Sequence, residues 1–159
     1  DNTPAVVHVR LVPGDRLTLH VAPKGGGSEN MSALWMLTPN QGREGVIEAV
    51  AAQIRAAGGM PCPPLVLGVG LGGNFELSAL LAKRALLRPL GEPASDPDLA
   101  ALEADMLQAV NETGVGPMGL GGRTTALAVH IERHPCHIAS LPLALNVQCH
   151  SARHLTCVI

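Results

Sequence analysis

Tyrosine is absent from this chain, and its aromatic side chains are limited to Trp35 and Phe75. So few stacking surfaces leave little with which to hold single-stranded nucleic acid. A formal net charge of −2 also excludes the basic stripe that a phosphate backbone demands. Charged residues make up only 15% against 47% hydrophobic, so the core must be built from Leu, Val, Ile, Ala and Met. Part of the surface of so dry a chain is expected to be covered, by another subunit or by a further part of the same polypeptide. No uninterrupted apolar run of about 18 residues occurs, which argues against a membrane-spanning helix. The opening DNTPAVVH lacks the basic and apolar layout of a signal peptide. A cytoplasmic location is the expectation. The start without Met, running almost at once into strand-like sequence, reads as a cut from a longer protein at a linker.

What is present suits one domain of 159 residues. AVVHVRLV (5–12) and RLTLHVA (16–22) are β-rich runs joined by PGD, the pattern of a hairpin. Residues 43–59 place apolar side chains at helical spacing and stop at Gly58 and Gly59. PLVLGVG reads as a short buried strand. A second helix is expected from Phe75 to Leu87 with Asn74 as N-cap. A third follows Ser95 or Asp96, with Pro97 at its first position. TTALAVHIE reads as a strand, and HIAS, LALNVQ and HLTCVI as shorter ones. The fold class is α+β, a mixed sheet with about three helices.

The stretch GVGLGG (68–73) spells G-x-G-x-x-G, and Gly114, Gly116 and Gly119 repeat the pattern. A dinucleotide-binding turn needs strand, glycines, helix and then an acid about 20 residues on at the end of the next strand. Here the acid is Glu92, in loop-like sequence, and the second copy contains Pro117 and precedes a strand. GVGLGG is instead expected to shape the floor behind the Cys62 loop and to pack a helix closely against a strand, and no nucleotide is required. KGGGSEN, GVGLGG and GVGPMGLGG share another property: consecutive backbone N–H groups can point one way because no Cβ blocks them, a nest for carboxylates, phosphates or sulfides. Ordinary tight turns are the competing reading.

Four cysteines without a secretory mark argue for metal binding or buried thiols over disulfides. Cys62 sits in the rigid PCPP, and Cys149 in QCHSARH; Cys136 and Cys157 read as structural. No C-x-x-C occurs, so zinc knuckles and ferredoxin runs are absent. His134, His137, His150 and His154 all fall in the last 26 residues. A zinc site of Cys149 with two histidines stays open, as does a histidine acting as general acid or base.

Taken together, KGGGSEN, PCPP followed by the glycine run, NETGVGPMGLGGRTTALAV, RHPCHIASLP and NVQCHSARH resemble the α subunit of the iron-sulfur hydro-lyases, the class I fumarases and L-tartrate dehydratases. The resemblance covers the whole chain and implies that residues 1–159 are the C-terminal portion of an α-type catalytic domain. It implies a [4Fe-4S] cluster held by three cysteines, two of which map onto Cys62 and Cys149. The third belongs to a C-Q-D-T-G type motif upstream of the KGGG loop, and this sequence does not contain it. An iron without a protein ligand is a Lewis acid that polarises a substrate hydroxyl.

Further roles follow from the same resemblance. His137, twelve residues before Cys149, matches the active-site histidine. Lys24, Gly25, Gly26 and Gly27 match a segment that contacts the dicarboxylate substrate through backbone groups, and Arg153 is a candidate carboxylate partner. The remaining basic residues and the proton-abstracting group belong to a β-type domain or subunit, and a homo- or hetero-oligomer is implied. Fumarate to malate is the first expectation for the reaction and tartrate to oxaloacetate the second. These implied roles require one arrangement, with Cys62 and Cys149 facing a single cavity into which His137 also looks. The chain alone is expected to be inactive and without cluster. A non-enzymatic truncated paralogue that pairs with a partner chain is the rival reading.

Overall fold

The computed structural model describes residues 5–151 and 153–159; the expected linker at residues 1–4 lies outside them. The chain forms β1 (Thr18–Val21), α1 (Gly26–Glu29), β2 (Ala33–Leu37), α2 (Gly42–Ala57), β3 (Leu65–Gly72), α3 (Phe75–Ala85), α4 (Pro97–Glu112), β4 (Ala126–His134), β5 (Leu141–Gln148) and β6 (Leu155–Val158). The expected α+β class holds, the fourth helix being the single turn α1. A four-stranded mixed sheet has the order β2-β5-β3-β4, and β1 and β6 form a separate antiparallel ribbon. β3 runs parallel to β4 and antiparallel to β5.

Alternation along β3 divides the sheet into two faces. Leu65, Leu67 and Val69 pack with Val46, Val50 and Ile54 of α2 and Leu102, Met106 and Val110 of α4 in the main core. Val66, Gly68 and Gly70 face α3. A Cβ at Gly68 would lie 2.2 Å from the Ala82 carbonyl oxygen, and one at Gly70 would lie 1.9 Å from that of Ser78. The glycine run therefore lets a helix backbone lie directly on a strand, which is the role the sequence reading gave it in part. It does not floor the Cys62 loop, because Gly72 and Gly73 fall at the far end of β3.

The helix boundaries follow from their caps. Asn74 Oδ1 accepts from the backbone N–H groups of Glu76 at 3.1 Å and Leu77 at 2.8 Å. Asp96 Oδ1 accepts from those of Asp98 at 2.9 Å and Leu99 at 3.4 Å, with Pro97 opening α4. Each such cap contributes about 1 kcal/mol. At the exit of α2, Gly58 takes φ +54° and donates its N–H to the Ile54 carbonyl.

Three expectations are corrected. The 5–12 and 16–22 hairpin does not form: residues 5–12 are exposed and irregular, and β1 pairs instead with β6, in the register Thr18↔Val158 to Val21↔Leu155. β-branched residues favour a strand only where a partner and a packing surface exist. HIAS is a turn, with Ser140 N–H donating to the His137 carbonyl at 2.9 Å. Cys136 and Cys157, read as structural, are both exposed. No helix among the described residues is long and apolar enough to cross a membrane.

Candidate functional site

Strand direction decides what meets at each end of the sheet. Cys62 precedes the first residue of β3, and Cys149 follows the last residue of β5. Because the two strands are antiparallel, with Val66 opposite Gln148, both cysteines arrive at the same end. Both are free and half-buried. His150 closes the gap, its backbone N–H donating to the Cys62 carbonyl at 3.4 Å and its ring Nδ1 lying 3.1 Å from the same oxygen.

The loop bearing Cys62 is held on several sides. Its backbone has φ +59°, a left-handed conformation that costs a non-glycine residue about 1 kcal/mol or more. Such strain concentrates where a side chain must be aimed. The Cys62 N–H donates to the Gly59 carbonyl at 3.1 Å, and the Met118 N–H donates to that of Pro63 at 2.9 Å. A Cβ at Gly119 would lie 2.5 Å from Gly59 Cα, so the second glycine pattern serves close docking of the 116–122 loop on this one.

The KGGG turn approaches from a third direction. A Cβ at Gly27 would sit 3.6 Å from the Met60 carbonyl oxygen, two residues before Cys62. Gly25, Gly26 and Gly27 are exposed. Lys24 reaches inward, its ammonium donating to the Val147 carbonyl and pairing with Glu29 Oε2 at 2.6 Å. Glu29 also binds Lys83 of α3 through Oε1 at 2.5 Å and accepts from Asn146 Nδ2 at 3.0 Å. Burial alone would raise the Glu29 carboxyl, but the donors from Lys24, Lys83 and Asn146 together hold it down at about 2. Burial lowers the Lys24 ammonium despite its bonds to Glu29, because Lys24 is the more enclosed end of the pair.

His137 is not at this site. β4 ends at His134, opposite Gly72, so the 135–140 connection leaves from the other end of the sheet. The eight residues of β3 separate the two ends by about 23 Å. His137 is exposed there, and its Nδ1 accepts the Ala139 N–H at 3.1 Å, which leaves Nε2 carrying the proton. The expectation that His137 shares a cavity with Cys62 and Cys149 is therefore corrected: the topology sends its loop the other way. Arg153 is exposed in the connection to β6, four residues after Cys149. The four terminal histidines divide between the two ends, and no three His, Cys, Asp or Glu side chains among the described residues are grouped to hold a metal ion. The zinc reading thus finds no site among the described residues.

Glu29, Lys83 and Asn146 escaped sequence reasoning, and His150 was read only as one of the four terminal histidines. Glu29 lay within the KGGGSEN loop; Lys83 and Asn146 carried no local signal. A second buried polar cluster was also missed. Glu103 binds Arg88 at 2.5 Å and accepts from the backbone N–H groups of Ile131 at 2.7 Å and Ala94 at 2.8 Å. Arg88 in turn donates to the Ile131 carbonyl at 2.9 Å, so the two side chains together satisfy the open edge of β4.

Comparison with known proteins matches this chain over residues 1–158 to the family described as fumarate hydratase (Fumerase). A protein of Methanocaldococcus jannaschii named putative L(+)-tartrate dehydratase subunit alpha is 52% identical over 131 residues, covering 82% of this chain and 46% of that protein. The L(+)-tartrate dehydratase subunit alpha of Escherichia coli is 33% identical over 150 residues, covering 94% and 50%. That of Shigella sonnei is 32% identical over 150 residues with the same coverage. The chain thus spans about half the length of these relatives. With the family match running through the cysteine loops, the KGGG turn and both glycine patterns, the chain belongs to the fumarate hydratase (Fumerase) family.

Proposed function

We propose that this chain is the cysteine-bearing part of an α-type hydro-lyase component, acting with a β-type domain or subunit on a four-carbon dicarboxylate. The observation that carries the reading is the delivery of Cys62 and Cys149 to one end of the sheet, beside the glycine turn and the half-buried Lys24 ammonium. Fumarate to malate is the first assignment and tartrate dehydration the second. The names of the relatives favour the second, and the family description favours the first.

The residues present suit two of the ligands of a [4Fe-4S] cluster: free, half-buried thiols brought to one end of the sheet. When bound, that group supplies a Lewis-acidic iron for a substrate hydroxyl. The chain's own residues orient the substrate. The exposed turn at Gly25, Gly26 and Gly27 brings backbone close to a carboxylate with no side chain in the way. Lys24 adds positive charge, and Arg153 is the candidate partner of a second carboxylate. His137 can serve this chemistry only at the cysteine pair of a second copy, from which it would hydrogen-bond a carboxylate or handle the leaving water.

The test is to assay the complete α/β-type assembly, anaerobically reconstituted, with fumarate and with both tartrate enantiomers. Turnover of one of them, lost in Cys62→Ser and in Cys149→Ser, supports the reading. An assembly whose turnover survives both substitutions overturns it.

A further inference from the structure

Lys24 matches the substrate-contacting segment, yet most of its hydrogen-bonding capacity is already committed within the protein. An ammonium has three donors. One goes to the Val147 carbonyl and a second to Glu29 Oε2 at 2.6 Å, which leaves a single N–H for a ligand. The direction of that one donor is fixed by the other two.

The partner of Lys24 is itself held from every side. Glu29 Oε2 also accepts from Asn146 Nδ2 at 3.0 Å, and Oε1 pairs with Lys83 at 2.5 Å. Asn146 is 5% exposed and donates a second bond to Ser32 Oγ at 2.9 Å. Ser32 Oγ in turn accepts the backbone N–H of Val147 at 3.1 Å, so the lattice closes on β5 two residues before Cys149. Two ammoniums and one carboxylate leave one net positive charge, the complement of a single substrate carboxylate. The elements tied together are the KGGG turn, α3 and the last residues of β5.

We propose that Glu29 is a positioning residue of this site: with Lys83 and Asn146 it locks Lys24 so that one N–H of its ammonium is presented to a substrate carboxylate beside the cysteine pair. This rests on the reading of the site as a dicarboxylate hydro-lyase, and it adds residues that no motif match supplied. Because the clamp orients a group that binds ground state and transition state alike, its loss raises KM and leaves kcat.

A double-mutant cycle tests it on the complete α/β-type assembly. Lys24→Met, Glu29→Gln and the double variant are each measured for KM, kcat and Tm, and for calorimetric binding of succinate to the metal-free assembly. Glu29→Gln is expected to raise KM and the succinate Kd about tenfold while kcat stays within about threefold. In the Lys24→Met background the same change is expected to do nothing further to either constant. An effect of Glu29→Gln that persists undiminished without Lys24, or that appears only as a lower Tm, overturns the proposal. Failure of the hydro-lyase reading looks different: the wild type then turns over no fumarate or tartrate, and the cycle is still read on succinate binding. Wild-type protein that binds no dicarboxylate at all overturns both.

Discussion

His150 folds back onto Cys62, placing its backbone N–H 3.4 Å and its ring Nδ1 3.1 Å from the Cys62 carbonyl oxygen. A carbonyl has no proton to give, so the ring must donate and Nδ1 carries the hydrogen. The contact ties the exit of β5 to the entrance of β3 and so fixes one cysteine loop relative to the other.

His150→Phe keeps the ring's bulk and removes that donor. Reconstituted iron per α-type chain in the complete assembly is expected to fall, and amide exchange at residues 149–151 to accelerate. Retention equal to wild type would assign the contact no part in holding the two loops.

Gly70 and Gly26 make a matched pair for the packing argument. Gly70→Ala drives a methyl to within 1.9 Å of the Ser78 carbonyl oxygen, so α3 must lift from β3, at a cost of about 3 kcal/mol or more in urea unfolding. Gly26→Ala meets nothing within 4 Å and is expected to change stability by less than about 1 kcal/mol. A loss of substrate affinity in Gly26→Ala without a loss of stability would mark the turn as a binding surface.

Glu103 is the buried acceptor on which the β4 edge depends. Glu103→Ala leaves Arg88 with Glu132 as its remaining carboxylate at 3.0 Å and the Ile131 and Ala94 N–H groups without their acceptor, an expected loss of about 3 kcal/mol. Denaturant titration gives the magnitude, and exchange of the Ile131 amide shows where the edge opens. Glu103→Gln, which keeps an acceptor, is expected to lose less.

Acid is expected to weaken the fold in two stages. Burial, with the positive charge of Arg88, lowers the His130 pKa below its usual 6.5, so the folded state holds a neutral imidazole. Its contribution is complete above about 6.5 and is lost as pH falls toward the lowered value, because the unfolded chain takes up the proton first. Glu29, held at about 2 against an ordinary 4.5, contributes above that ordinary value and loses its contribution as pH falls through about 2. Thermal midpoints of wild type and His130→Leu, followed from pH 7.5 to 3, check the first stage: the variant's midpoint should vary less between pH 6.5 and 5.

Mixing two inactive chains examines the role left for His137. A Cys62→Ser chain and a His137→Ala chain, refolded together into the complete α/β-type assembly, are expected to recover about a quarter of wild-type turnover if one copy's loop serves the other's site in a dimer. No recovery would confine His137 to its own end of the sheet.

Much of this architecture could be read locally. Helices α3 and α4 begin where Asn74 and Asp96 cap them, and α2 stops at Gly58, because each signal acts over only a few residues. β2 was missed: ALWML has no alternation, and it becomes a strand by pairing with β5 from Ala33↔Leu145 to Leu37↔Leu141. The false hairpin at 5–22 shows the converse, since the partner of β1 lies more than a hundred residues away in β6. For the site, the motif match located Cys62, Cys149 and the KGGG turn but could not give strand direction. Direction put His137 at the wrong end and brought His150 in. Lys83 and Asn146 were illegible for the same reason, as each reaches Glu29 only after α3 and β5 have docked.

The ribbon of β1 and β6 carries a final consequence. Leu19, Val21, Leu155 and Cys157 share one of its faces, and all are exposed, as are Val6, Val7, Val9 and Leu11 just before it. A two-stranded ribbon with bare edges and an oily face invites further strands to add. Expressed by itself, the polypeptide should therefore form sedimenting aggregates in proportion to its concentration, and charged replacements at Leu19 and Leu155 should keep it dispersed. Anything that shields that face would also guard the chain against misassembly.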